Sequence, residues 1–471
     1  MPTLVSPTQT VFVFGRRGTN NVIVAQELVY TLEKKRGKTG FMVIKLDLEK
    51  AYERLEWSFV RSMLFSFGFH EDTGELVMSC ISSISASLLI NGSQLESFKP
   101  SRGLRQGNPI SPYIFILCLE FLSSLINKKC EEGKWIKVKA SHGGLEFSHS
   151  FFVDDLLIYA KADRANCEAI VDVLEEFCEL TGQKISKVKS KVFFSPNTPE
   201  EKKDDLVLLL EINKTSNLGK YLGFPILHKG RRRNDFQFVV ERVQAKLAGW
   251  KNKCLSPAGR IMLIKAAMIA IPKYTMQCYR IPVRICDEVD KLVRDFLWGS
   301  TVERKKMHMV GWSHVMMPQD LRGLGIFQMK ARNSALLAKL CWGIASSQNY
   351  PWAQILINKY LTATRLSEGG RKLPTSKIWA TCKEGGIIFN KGLKWVVANG
   401  EEVGFGDDFW LTSGPLRKQI EGLLAEGENN LSVKMFLSNP NELSFNFPET
   451  ILKDIQGIPL ASCPELKYRL I

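Results

Sequence analysis

The 471-residue chain contains eleven cysteines but no Cys-x-x-C pair. That argues against a zinc finger and against a disulfide framework. Cys118, Cys178 and Cys341 sit on apolar faces, as expected of reduced thiols inside an intracellular protein. Histidine is scarce, six in all. His308 and His314 lie close together without a cysteine pair, so they read as surface or packing residues. The first ten residues, "MPTLVSPTQT", lack the basic start and apolar stretch of a signal peptide. No run has the length and purity of a membrane span. "ISPYIFILCLEFLSSLI" is slightly short and carries Glu120, and "RIMLIKAAMIAIP" is shorter and carries Lys265, so both read as buried helices. Low-complexity tracts and short-period repeats are missing too.

Negative charge is also in deficit. The 48 acidic residues are outnumbered by 64 basic ones, a net charge of +16. Such an excess favours a polyanionic partner, either nucleic acid or an anionic membrane surface. The plainer alternative is a soluble protein that is simply basic. Hydrophobic residues make up 45% and charged residues 24%, a mix that builds a packed core. The length suits roughly two to four domains.

Along the chain, "FMVIKLDLEKAYERLEW" (41–57) begins as a β-prone run and turns helix-favouring after Leu48, which predicts a strand ending near Asp47. Asn91-Gly92 predicts a hairpin. "SPYIFILCLEFLSSLINKK" predicts a helix with Ser111 as N-cap and Pro112 in its first turn. A second helix follows over "DRANCEAIVDVLEEFCELTG", capped by Asp163, stopped by Gly182 and buried through Ile170, Leu174 and Phe177. From about 229 the chain is strongly basic and helical in pattern, with further helices at Ser256-Pro257 and over "DEVDKLVRDFLWG". Beyond about 300 it reads as loop-rich and Trp-rich, with Trp312, Trp342, Trp352, Trp379, Trp395 and Trp410.

"FFVDDLLIYA" (151–160) sets Asp154 and Asp155 side by side in an apolar run. A buried unpaired carboxylate costs on the order of several kcal/mol. The pair is therefore either a hairpin turn, where aspartate is common, or a divalent-cation site. Asp47, at the end of another apolar strand, is the third carboxylate that one sheet could bring alongside. Three such groups raise one another's pKa values unless cations bind among them. Few, hard oxygen ligands suit Mg²⁺ in a two-metal phosphoryl-transfer site. Between these strands, "GLRQGNPISP" (103–112) is either a Gly/Pro connector or a loop whose backbone N–H groups and Arg105 hold an anion or a base pair.

The order of these motifs resembles the reverse transcriptase of non-LTR (LINE-type) retrotransposons of plants, truncated at both ends. The resemblance rests on "FGRRGTNNVIVAQEL", "KLDLEKAYERLEW", "GLRQGNPISPYIF", "FFVDDLLIYA", "TGQKISKVKS" and "YLGFPI". "LSPAGRIMLIKAAMIAIP", "RGLGI" and "GLKWVVANGEEVGFGDDFW" extend it over nearly the whole chain. It implies an α+β fold: a polymerase right-hand palm, an antiparallel sheet packed on helices, followed by a helical thumb and a Trp-rich C-terminal region. The implied divisions are 1–228 for partial fingers and palm, 229–300 for a thumb-like region, and 301–471 for a region of unknown role.

The implied activity is RNA-directed DNA polymerisation on two Mg²⁺ ions, with Mn²⁺ as a substitute. The alternative is an inactive relic that only binds nucleic acid. Asp47, Asp154 and Asp155 match the catalytic metal ligands, and Leu48 offers a carbonyl. Tyr52, Arg105, Gln106, Gly107 and Lys189 match nucleotide-binding positions. From the residues alone, Tyr52 reads as a core aromatic, and Lys184, Lys187 and Lys191 as a solvated basic face. Tyr221, Leu222 and Gly223, with Arg231, Arg232 and Arg233 in the basic run beyond, match positions that hold primer and template. The partners implied are an RNA template, a DNA primer and dNTPs, with an endonuclease region encoded separately and no membrane. The family expectation is a nuclear protein.

Several residues depart from the family pattern: Phe14 (usually Pro), Asn20 and Asn108 (Asp), Glu53 (Asp), Val153 (Ala) and Ser186 (Asn). By the resemblance, most of the fingers is expected upstream of this sequence and an RNase H-like domain downstream of it.

Overall fold

The structure, a computed structural model, describes residues 3–141, 143–226, 233–247, 255–300, 305–346, 349–361 and 375–392, with short pieces beyond: 395–396, 403–406, 408–411, 414–418, 431–438, 451, 453, 455 and 469–470. Its centre is a five-stranded sheet. The strands are β1 (Phe41–Leu46), β2 (His149–Phe152), β3 (Asp155–Lys161), β4 (Lys191–Phe194) and β5 (Asn213–Lys214), in the order β2-β3-β1-β4-β5. All neighbours pair antiparallel except β4 and β5.

Strands β1 and β3 read as near-continuous apolar runs because both faces of the sheet are covered. Side chains alternate between faces. Met42, Ile44, Leu46, Leu156 and Ile158 enter one core, against the helices Ser111–Glu131 and Arg164–Thr181. Val43, Leu157, Tyr159 and Phe193 enter the other, against the helix Gly18–Glu33.

Local chemistry explains some helix ends. Asp163 caps its helix by accepting from Asn166 N–H (3.0 Å), and Gly182 ends it at φ 75°. Ser256 caps Pro257–Leu263 in the same way, through Gly259 N–H (3.2 Å). The expected cap at Ser111 needs correction. The helix already begins at Ser111, Ile110 occupies the cap position, and Pro112 is in the first turn. Pro112 has no N–H to be capped, which relaxes the demand for a capping side chain.

The second core continues far along the chain. It takes in Val239 and Val243 of Gln237–Leu247, Val289 and Val293 of Val283–Trp298, and then Met329, Cys341, Trp352, Ile355, Ile378 and Cys382. One apolar core therefore runs from Val22 to Cys382 and crosses both 228 and 300. The stretch expected to be loop-rich is helical over Met329–Ser346, Pro351–Leu356 and Lys377–Gly392. Its Ala, Leu and Lys content favours helix, and its apolar residues find partners on Gly18–Glu33.

A buried polar knot fastens that packing. The Glu27 carboxylate, fully buried, receives Lys359 Nζ (2.8 Å), Tyr360 Oη (2.8 Å) and Ser376 Oγ. Among the described residues no helix is long and apolar enough to cross a membrane.

Candidate active site

The aspartates meet at one end of the sheet. In the β1–β3 register Leu46 lies opposite Leu156, so one step further sets Asp47 opposite Asp155. Asp155 also pairs with Phe152 across the tight β2–β3 hairpin, which leaves Asp154 exposed at the tip. Val153 turns the chain there at φ 52°, an uncommon conformation for a β-branched residue. By the alternation of the strands, Lys45, Asp47 and Asp155 share one face.

The loop 182–190 holds the end of β1 in place. Asp47 N–H donates to Ser190 Oγ (3.1 Å), and its carbonyl accepts from Ser186 N–H (2.8 Å). Buried Leu48 bridges Ile185, so it can offer a ligand only through its backbone. Lys189, exposed, brings Nζ to 3.8 Å from Asp47 Oδ1. Its neighbours spend their charge locally: Lys184 on Glu49 (3.2 Å) and Lys187 on Glu211.

Burial pushes the Asp155 carboxyl above its usual range. Lys45 acts against that rise, while Asp154 and Asp47 add to it. The site thus carries surplus negative charge from hard oxygen donors. Among the described residues no three His, Cys, Asp or Glu side chains stand close enough to enclose a metal ion by themselves. A small hard cation does not require that. One or two carboxylates hold it, and water and substrate phosphates complete its shell. The donor set fits such a cation.

Tyr52 flanks the tip. Its ring stacks on Phe115 (4.7 Å between centroids, 18° between planes), and burial, then Asp154, pushes its phenol up. Leu104 N–H donates to the Tyr52 carbonyl (2.7 Å), which ties the 103–107 loop to the site. Gly103 turns that loop at φ 89°, where a Cβ would lie 2.6 Å from the Glu53 carbonyl oxygen. Gln106 Nε2 donates to Glu53 Oε1 (2.7 Å), while Arg105 and Gly107 are exposed. Asn108 Oδ1 accepts from Ile110 N–H (3.2 Å), a bond that an aspartate would make equally well.

The 220–225 hairpin stands beside this face. Lys45 Nζ reaches across to the Lys220 carbonyl (2.6 Å). Tyr221 is 1% exposed, so its side chain belongs to the core and is withheld from any bound strand. Leu222 is nearly buried, and Gly223 at φ 75° forms the exposed tip. Tyr274 Oη supports the hairpin by donating to the Leu222 carbonyl (2.9 Å). Arg231 and Arg232 lie outside the described residues, and Arg233 begins the turn Arg233–Phe236.

Sequence reasoning passed over Lys45, Ser190 and Tyr274. Lys45 was detectable in principle: in a strand, the residue two before Asp47 shares its face. Ser190 and Tyr274 carried no such signal.

Residues 4–226 match the family described as "Reverse transcriptase (RNA-dependent DNA polymerase)". An Arabidopsis thaliana protein named as a ribonuclease H protein is 33% identical over 202 residues, 42% of this chain and 32% of that one. A retrovirus-related Pol polyprotein from the type-1 retrotransposable element R2 of Popillia japonica is 22% identical over 331 residues, 68% of this chain and 52% of that one. The chain thus spans between about a third and about half of these relatives' lengths. A solved Candida tropicalis telomerase structure is similar at 12% identity and a TM-score of 0.35, over 78% of this chain and 51% of that one.

Proposed function

Because residues 4–226 are a reverse transcriptase domain with homologues in non-LTR retrotransposons, we propose that the chain is an RNA-directed DNA polymerase that extends a DNA primer on an RNA template. The carrying observation is the register that sets Asp47 opposite Asp155, with Asp154 at the adjoining tip and surplus negative charge among them. The family's chemistry runs on divalent metal ions, and Mg²⁺ is the ion proposed here. Asp47 and Asp154 would hold it most directly, with Asp155 and the Leu48 carbonyl nearby. Bound there, it would supply Lewis-acid activation of the primer 3′-OH and charge stabilisation at the leaving phosphate.

The protein groups do the positioning. Lys189 is exposed beside Asp47, within reach of a triphosphate entering from solvent. Tyr52, held flat against Phe115, forms a rigid floor for the sugar of a dNTP. Gln106 is oriented by Glu53, and Arg105 beside it is free to meet phosphate or base. The primer end would rest on the backbone of Leu222 and Gly223, because the Tyr221 side chain is buried.

The test is Mg²⁺-dependent extension of oligo(dT) on poly(rA), comparing the chain with Asp154→Asn. Incorporation by the native chain and at least about a hundredfold loss in the variant is the expected result, the scale of removing a group that acts in the transition state. Equal incorporation in both, or none in either, overturns the proposal.

A further inference from the structure

A cavity of about 550 Å³ opens beside the first turn of the helix Gly18–Glu33. Its cations are Arg17, Lys273 and Lys339, all exposed, and no acidic residue lines it. Among the described residues none of the three makes an ion pair. Its aromatic walls are Trp342 and Tyr350, with Trp352 buried behind them. Tyr350 is 39% exposed, so its ring is open to a ligand.

The helix adds to the positive field. Arg17 holds the cap position without a side-chain acceptor and Asn20 N–H donates to its carbonyl (2.9 Å), so the positive end of the helix dipole lies at Arg17, Thr19 and Asn20 of the cavity lining. Uncompensated cations interleaved with aromatic faces are the combination that holds unpaired nucleotides. The cations meet phosphates, and the rings accept bases of any sequence by stacking.

The cavity also borders the catalytic hairpin. Gly18 packs so closely on Phe152 that a Cβ would lie 2.5 Å from its ring. Phe152 is two residues before Asp154. On the other side, Lys273 precedes Tyr274, which holds the 220–225 hairpin.

We propose that this cavity is a binding site for single-stranded nucleic acid, separate from the catalytic aspartates and next to them. The inference extends the polymerase reading, because a template must be unpaired where it enters or leaves the hybrid. Its chemistry, phosphate plus base, is common to RNA and DNA. Binding there needs no metal and no turnover.

The test measures metal-free binding of fluorescein-labelled oligo(dT) and oligo(U), roughly 16 nucleotides long, by anisotropy across a salt series. The proteins are the full chain, Lys273→Glu/Lys339→Glu and Tyr350→Ala. The double variant should bind about tenfold more weakly, with a log K against log salt slope shallower by about 1.4, the share of two single-strand phosphates. Tyr350→Ala should lose about fivefold with the slope unchanged, as expected for stacking. Matching losses on oligo(dT) and oligo(U) are expected, and a loss confined to one of them would narrow the site to that polymer.

The proposal is overturned if the double variant keeps native affinity and slope. It is also overturned if the variant loses as much on a blunt RNA–DNA duplex of the same length. The two readings fail separately. Selective loss of single-strand binding in a chain that extends no primer sinks only the polymerase. Normal binding by the variants of an extending chain sinks only the cavity.

Discussion

Asp47 and Asp155 face each other across β1 and β3, one step past the Leu46–Leu156 pair, and Lys45 lies on the same face. Lys45 is the cation that opposes the rise of the Asp155 carboxyl, and its Nζ also holds the Lys220 carbonyl. It therefore connects the carboxylates to the hairpin beside them. Lys45→Met should lower primer extension about fivefold, the equivalent of one exposed hydrogen bond of about 1 kcal/mol. The loss should appear mainly in the primer–template concentration needed for half-maximal rate. Steady-state kinetics with primer–template as the varied substrate would check this, and a loss confined to kcat would contradict it.

Two glycines in the 103–107 loop share positive φ but differ in surroundings. At Gly103 a Cβ meets the Glu53 carbonyl at 2.6 Å, whereas at Gly107, φ 84°, it meets nothing within 4 Å. Gly107→Ala should cost about 1 kcal/mol, the left-handed conformation alone. Gly103→Ala should cost about 3 kcal/mol, because backbone must also move. Urea unfolding midpoints of the two variants would separate them, and equal midpoints would refute the close approach.

His149 is buried in β2, where its ring bonds to Thr8 Oγ1 (2.9 Å), Ser148 Oγ (3.0 Å) and Ser123 Oγ (3.1 Å). Burial, helped by Lys137, pulls its pKa down to about 3. The unfolded chain binds a proton below about pH 6.5 that the folded chain refuses. Stability therefore rises with pH between about 3 and 6.5, by up to about 1.4 kcal/mol per pH unit from this one group. Melting curves in that window should show a shallower pH dependence for His149→Gln than for the native chain. Identical slopes would contradict the buried neutral ring.

The knot at Glu27 makes a sharper test of long-range packing. Glu27→Gln keeps the shape but leaves Lys359, whose side chain is 13% exposed, without its counter-charge. Breaking one partner of a buried pair costs about 3–5 kcal/mol. Glu27→Gln/Lys359→Met should recover part of that loss. A double-mutant cycle on unfolding free energy would measure the coupling, and strictly additive losses would show that the two residues act independently.

The parts of the fold readable in advance were those in which a residue governs its own neighbourhood. Asp163 and Gly182 bound their helix through side-chain chemistry and φ. Asn91 and Gly92 turn the 89–94 hairpin at φ 49° and 85°. The doublet at 154–155 displayed both its turn and its charge. The hidden parts depended on distant partners. Tyr221 looked like a contact residue, and only the alternation of its short strand sends the ring into the core. The region beyond 300 read as loop-rich, and no local pattern could show that its helices at 351–356 and 377–392 close on the helix at 18–33. Lys45 lay between these cases, with its face legible and its bond to Lys220 not.

The core shared between Val22 and Cys382 also bears on how the chain is made. A ribosome adding roughly 5–20 residues per second completes the 18–33 helix tens of seconds before the segment that covers it. Through that interval Val22, Val29 and the Glu27 carboxylate await partners that do not yet exist. Strands β1 and β3 can pair early, but the back of their sheet is closed only once the segment up to residue 382 has been made. Release of the nascent chain before about residue 382 would leave an apolar, acid-centred surface open to chaperones or to aggregation.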